Sequence, residues 1–93
     1  LTMHTVYIIA CFNNDEFFIK IGRTYNTITQ RFSGKKMPYT YVILKNYSFN
    51  SLISCSSFEK QLHKKYKKYS YKPLINFKGY TECFDKNLLN KIK

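Results

Sequence analysis

The sequence predicts an α/β (α+β) domain: a small mixed sheet of about three strands, led by an N-terminal β-hairpin and flanked by helices. Three observations point there. Residues 5–22 contain two β-branched and aromatic runs around a short polar turn, the signature of a hairpin. Residues 40–49 alternate, with Tyr41, Ile43, Lys45, Tyr47 and Phe49 against Val42, Leu44, Asn46 and Ser48, which is the period of a strand. Phe58, Leu62 and Tyr66 recur at i, i+4 and i+8, the buried stripe of an amphipathic helix.

The hairpin deserves its register worked out, because it carries Tyr7 in one run and Lys20 in the other. Thr5, Tyr7, Ile9 and Cys11 share one face of the first strand, and Phe18, Lys20 and Gly22 share one face of the second. A two-residue turn at Asn13 and Asn14 sets Tyr7 opposite Lys20. A four-residue loop over 13–16 keeps them on one face, displaced by a pair, and a three-residue loop separates them. Asparagine tolerates positive φ and suits a two-residue type I′ turn, so registers that bring Tyr7 and Lys20 together are preferred. The plainer alternative is a half-buried strand tyrosine and a solvated strand lysine.

After a short loop over 23–26, Thr27 and Gln30 form a capping box that opens a short helix ending near Ser33 and Gly34. Residues 35–38 read as a linker, with Pro38 holding an extended or turn conformation. The strand over 40–49 follows. Residues 50–55 read as a connection whose Leu52 and Ile53 pack under the next helix. Ser56, with Glu59 three residues on, reads as the N-cap of that helix. It runs over 57–69, with Lys60, Lys64, Lys67 and Lys68 outside. A loop with Pro73 spans 70–78, residues 80–84 form a short strand or extended edge, and Asp85 caps a last helix over 86–93 with Leu88, Leu89 and Ile92 inward. No internal repeat or low-complexity segment interrupts this order.

Ninety-three residues make one domain, 1–93. Its core is small, and nine Tyr and eight Phe supply the large side chains that fill it. No apolar run is long enough to span a bilayer, and no signal peptide is expected. Sixteen Lys and Arg against five Asp and Glu give a net charge of +11. Such an excess favours a polyanionic partner, nucleic acid before an anionic membrane surface, although a Lys-rich, AT-rich coding bias would also produce a basic surface. Cys11, Cys55 and Cys83 are far apart and odd in number, which argues for a reducing, cytoplasmic setting. His4 and His63 complete no zinc-ligand pattern with them.

Val6-Tyr7-Ile8 followed by Lys20-Ile21-Gly22 resembles the paired motifs of the GIY-YIG nuclease superfamily, with Lys where most members have a second Tyr. Gly22-Arg23-Thr24, Arg31, Ser57-Phe58-Glu59 and Gly79-Tyr80-Thr81-Glu82-Cys83-Phe84 follow in the family's order. The set is similar to a divergent phage and large-virus branch that reads Lys-Ile-Gly-Arg-Thr, and it covers nearly the whole chain.

The resemblance implies a metal-dependent DNA endonuclease that hydrolyses phosphodiester bonds, with Mg²⁺ or Mn²⁺ as cofactor and DNA as partner. Tyr7 is then the general base, since nearby positive charge favours a phenolate and Lys20 supplies it. Arg31 is assigned to the scissile phosphate, where a guanidinium offers forked donors; the alternative is a solvated helix arginine. Glu59 is the expected metal ligand, because Mg²⁺ takes one or two carboxylates and keeps several waters; the alternative is the capping box with Ser56. His63, four residues on, either serves phosphate or a proton or is a plain surface histidine. Glu82 is open between a catalytic and a structural role.

Arg23, Thr24, Lys60 and Lys64 are expected on the DNA backbone, and Gly22 to let the chain turn and phosphate approach. No membrane and no obligatory small-molecule cofactor are expected, and the protein is read as a monomer or weak dimer. A second hypothesis keeps the fold without cleavage: a nucleic-acid-binding module in which residues 60–72 grip phosphates while Tyr66, Tyr69 or Tyr71 stack on bases.

Overall fold

β1 (His4–Phe12) and β2 (Phe17–Thr24) form the expected hairpin, with Phe12 opposite Phe17, Ile9 opposite Lys20 and Tyr7 opposite Gly22. The structure is a computed structural model that describes residues 3–25, 27–34 and 37–92. The register makes the loop four residues long, 13–16, rather than a two-residue type I′ turn. The reason is local. Asn13 Oδ1 accepts from the N–H groups of Asp15 (2.8 Å) and Glu16 (3.0 Å), and Asn13 N–H donates to the Glu16 carbonyl at 3.1 Å. The asparagine thus supplies hydrogen bonds instead of positive φ, which no described non-glycine residue adopts.

Glu16 then anchors the loop to the body. Its carboxylate accepts from the Tyr39 hydroxyl, from the Tyr71 hydroxyl at 2.5 Å and from Leu74 N–H at 3.2 Å. Burial pushes the Glu16 carboxyl up, but these three donors more than reverse it, so its pKa lies below the ordinary value. Tyr39 Oη accepts in turn from Ile75 N–H at 3.0 Å.

The sheet has four strands in the order β3-β1-β2-β4, antiparallel throughout, rather than about three in a mixed arrangement. β3 (Thr40–Phe49) has the expected bounds. Its register shifts at Ile8/Ile9, where Ile43 faces Ile9 and Lys45 faces Ile8, leaving Leu44 as the extra residue of a bulge. β4 (Cys83–Asp85) pairs with residues 18–20 of β2.

Both faces of the sheet are covered. Val6, Ile8, Ala10, Ile19, Ile21 and Phe84 pack against α2 (Leu52–Lys65) and the C-terminal turn. Tyr7, Ile9, Cys11, Phe18 and Cys83 pack beneath Ile28, Phe32 and Tyr39.

α1 (Ile28–Arg31) carries the expected capping box, with Thr27 Oγ1 accepting from Gln30 N–H at 3.1 Å and Gln30 Oε1 from Thr27 N–H at 3.2 Å. α2 starts earlier than expected. Ser51, not Ser56, is its N-cap, accepting from Ser54 N–H at 3.1 Å. Leu52 and Ile53 therefore lie in the first turn and face outward, with Ile53 83% exposed, instead of packing under the helix. The α-helical part ends at Lys65, and Lys67–Tyr69 continue as a 3₁₀ turn.

Asp85 caps the last element as expected, accepting from Asn87 N–H at 2.8 Å, but Lys86–Asn90 are 3₁₀ rather than α. A run so short gains little from α propagation, and i→i+3 bonds tighten it. Asn26 of the expected loop, Lys35 and Lys36 of the expected linker, and Lys93 at the end of the expected last helix lie outside the described residues. No helix among the described residues is long and apolar enough to cross a membrane.

Candidate active site

Tyr7 and Lys20 lie on the same face, displaced by one pair as the four-residue loop requires, and Lys20 Nζ donates to Tyr7 Oη at 2.7 Å. The same ammonium donates to Glu82 Oε1 at 2.7 Å. Glu82 ends the 3₁₀ turn Tyr80–Glu82, immediately before β4, and β4 brings it beside Lys20 because Cys83 is the pairing partner of Lys20. Tyr7 and Lys20 are 0% exposed, whereas the Glu82 side chain is 30% exposed. The carboxylate is therefore the outer end of a buried chain of hydrogen bonds.

Two glycines make room for it. A Cβ on Gly22 would stand 2.5 Å from Tyr7 Oη and 2.8 Å from Lys20 Nζ; one on Gly79 would stand 2.8 Å from Lys20 Cε. Gly79 also has a φ of +101°, which L side chains rarely adopt. Gly22 thus clears space for the Tyr7–Lys20 pair, rather than only easing a turn as the sequence suggested.

Phe32, the C-cap of α1, closes the far side. Its ring meets Tyr7 edge-on at 5.4 Å between centroids and lies 5.5 Å from Lys20 Nζ. Arg31 stacks on the same ring, with Cζ 5.5 Å from its centroid.

Burial holds the Tyr7 phenol above its usual 10.0, and the Lys20 charge and hydrogen bond oppose this without overcoming it. Burial likewise works against the Lys20 ammonium, but Tyr7 and Glu82 outweigh it and its pKa stays above the usual value. In the resting protein this is a phenol and an ammonium. Lys20 alone does not produce the phenolate that its proximity to Tyr7 suggested.

A second group gathers around Glu59. Arg23 Nε contacts Glu59 Oε1 at 3.2 Å, and His63 Nε2 lies 3.7 Å from Glu59 Oε2. His63 Nε2 is also 2.9 Å from the Ile21 carbonyl oxygen; since a carbonyl only accepts, Nε2 carries the proton. The ring packs edge-on against Phe84 at 5.2 Å. His63 is thus fastened between strand and helix rather than free on the surface. Glu59 lies mid-helix, so it forms no capping box with Ser56. Burial raises its carboxyl pKa, the charge of Glu82 raises it further, and His63, Arg23 and Lys20 oppose both without prevailing.

The two groups come from opposite faces of the sheet and approach each other past the end of β4. That strand pairs only with residues 18–20, so His63 can reach the Ile21 carbonyl and Arg23 can reach Glu59. A cleft of about 410 Å³ opens there, lined among others by Arg23, Glu82, His4, Tyr25 and Leu52.

The T5orf172 domain matches residues 4–91, a span that contains every residue of this site. The chain belongs to the T5orf172 domain family. Neither a curated protein nor a solved structure shows significant similarity to it.

Other expected contact residues of this T5orf172 domain divide by exposure. Lys60 and Lys64 are exposed on α2, while Thr24 is buried. Tyr66 and Tyr69 pack on the core, and the Tyr71 hydroxyl is held by Glu16.

For a metal, no group of three or more His, Cys, Asp and Glu gathers among the described residues. An all-protein cage therefore does not fit. Glu59 and Glu82 are the carboxylates that a water-rich Mg²⁺ would use, and each is paired with a cation, Arg23 at 3.2 Å and Lys20 at 2.7 Å. Sequence reasoning missed the Glu16 anchor, the clearance at Gly79 and the pairing of half-buried His4 with exposed Tyr25. A tyrosine immediately after the Gly-Arg-Thr that ends the second strand was the available signal for that pair.

Proposed function

We propose that this T5orf172 domain is a metal-dependent DNA endonuclease of GIY-YIG type that hydrolyses phosphodiester bonds. The supporting observation is the buried Lys20 ammonium, held between the Tyr7 hydroxyl and the Glu82 carboxylate at a cleft that Arg23 borders. A buried charge is costly unless firmly paired, and here it is paired with a phenol that can exchange a proton.

In this reading a water oxygen attacks phosphorus, its proton passes to the Tyr7 phenolate, and the bond from phosphorus to the 3′ oxygen breaks. The leaving oxygen takes a proton from solvent. Lys20 stabilises the phenolate while Tyr7 is ionised. Arg31 donates to the non-bridging phosphate oxygens, where negative charge grows in the transition state. Glu59 would hold Mg²⁺ or Mn²⁺, with Glu82 as a further carboxylate. When bound, the ion supplies charge neutralisation at the phosphate. Arg23, whose side chain is 43% exposed, can exchange Glu59 for a phosphate oxygen and would contact the DNA backbone with Lys60 and Lys64. His63, held to the Ile21 carbonyl by its Nε2 proton, stands beside Glu59 and is the nearest group on α2 to exchange a proton with the phosphate. The domain acts on DNA as a monomer or weak dimer.

A second reading, a catalytically inactive nucleic-acid-binding module, is favoured by one observation: Tyr7 is fully buried and its pKa is raised. Supercoiled plasmid with Mg²⁺ or Mn²⁺ separates the two. Nicking by the wild type should be lost by orders of magnitude in Glu59→Gln and Glu59→Ala, while the Gln variant melts within about 1 kcal/mol of wild type. A wild type that binds duplex but nicks with neither ion leaves the binding module.

A further inference from the structure

We infer that the cleft beside Glu82 is a binding site for one unpaired nucleotide, so that the domain engages single-stranded or locally unpaired nucleic acid there. The inference rests on nucleic acid being the partner, as proposed above, and adds which form of it the site selects.

The cleft has the parts such a ligand needs. Tyr25 is 55% exposed, immediately after β2. Its ring is braced by His4 at 4.6 Å between centroids and an interplanar angle of 52°. The ring is more than half exposed and lines the cleft, and every nucleobase has a π-face to place on it. Leu52, half exposed in the first turn of α2, supplies an apolar wall. Arg23 and Glu82 give the cleft one cation and one anion. The guanidinium suits the phosphate of the bound nucleotide, and the carboxylate can accept from an exocyclic amine on the base edge. A volume of about 410 Å³ falls within the range of small-ligand pockets and is far too small for a stacked duplex.

The placement also has a consequence for cleavage. Glu82 is shared between this cleft and Lys20, so a base seated on Tyr25 positions the adjoining phosphodiester next to the Tyr7–Lys20–Glu82 chain. Fully paired DNA cannot enter without extruding a base, which costs a few kcal/mol and least where pairing is already lost.

The test is fluorescence anisotropy in EDTA, which removes cleavage from the measurement. The probes are a labelled single-stranded oligonucleotide, the same strand with one abasic position, and a blunt duplex of equal length. Tyr25→Ala should weaken single-strand binding about tenfold, the lower part of the range for loss of one base–aromatic stack, with duplex binding unchanged. Tyr25→Phe should retain wild-type affinity. The abasic strand should bind the wild type more weakly than the intact strand and bind Tyr25→Ala no worse than the intact strand does.

Equal effects of Tyr25→Ala on single strand and duplex, or no effect on either, would overturn the inference. If Tyr25→Ala fails to fold, the abasic comparison on wild type decides it, and equal affinity for intact and abasic strands refutes the site. Because binding is read without metal, a wild type that never nicks plasmid but shows the Tyr25 effect keeps this site and removes only the endonuclease reading.

Discussion

Tyr7 is where the chemistry is most constrained. If it is the base, the active form is the phenolate, and burial holds its pKa above 10.0 despite Lys20. The fraction ionised then grows about tenfold per pH unit below that pKa. Initial nicking rates should therefore climb steadily from neutral pH toward pH 10, with no plateau near 7. A plateau near 7 would assign the proton to another group. Stability works in the opposite direction. Lys20 has its pKa raised by folding, so its contribution is complete below about 10.5 and is lost as pH rises through the higher folded value. Tyr7 ionises more readily in the unfolded chain and adds to the same alkaline loss. Rates must be taken before unfolding, and the melting temperature over the same range provides the correction. The Tyr7–Lys20 contact was legible because strand side chains alternate with a period of two. Glu82 was not legible as its third member, because it arrives from 62 positions away through a 3₁₀ turn that leaves no periodic trace.

At the level of elements, the hairpin, the Thr27 cap and the third strand could be read from local pattern, since each is set by neighbours a few residues apart. The start of α2 could not. Ser56 with Glu59 satisfies the capping-box pattern, but Ser51 sits five residues earlier and captures the helix N-terminus through Ser54 N–H. The four residues between them, Leu-Ile-Ser-Cys, have no strong helical preference. They are drawn into the helix because Cys55 is fully buried in the core against the sheet. A tertiary contact thus decided the boundary, and with it freed Glu59 to face Arg23 and His63. Chemical denaturation checks the assignment. Ser51→Ala should cost about 1 kcal/mol, the scale of a lost N-cap. Ser56→Ala, inside the helix, should change stability by a few tenths or less and can even raise it, since alanine is the better helix former. A larger loss at Ser56 than at Ser51 would restore the later start.

Over the whole molecule, the arrangement of carboxylates matters as much as the net charge of +11. Of the five acidic residues, Glu16 is held by two tyrosine hydroxyls and an amide, Glu59 by Arg23 and Glu82 by Lys20. Three of the five are thus drawn into internal contacts, and the outward field is dominated by exposed lysines, among them Lys60, Lys64, Lys67 and Lys68. A surface of this kind binds DNA by displacing condensed counterions, and the logarithm of affinity falls linearly with the logarithm of salt at about 0.9 per phosphate neutralised. If about four to six phosphates are engaged, raising salt from roughly 50 to 200 mM should weaken duplex binding by roughly 150- to 2,000-fold. Replacing Lys60 and Lys64 together by Gln should lower the slope by about 2, because both stand on the exposed face of α2, away from the Glu82 cleft. Anisotropy titrations of blunt duplex in EDTA at several salt concentrations give both slopes. An affinity independent of salt would mean that the positive surface does not meet phosphate. A normal slope that Lys60→Gln with Lys64→Gln leaves unchanged would move the duplex footprint off α2, toward lysines elsewhere on the domain.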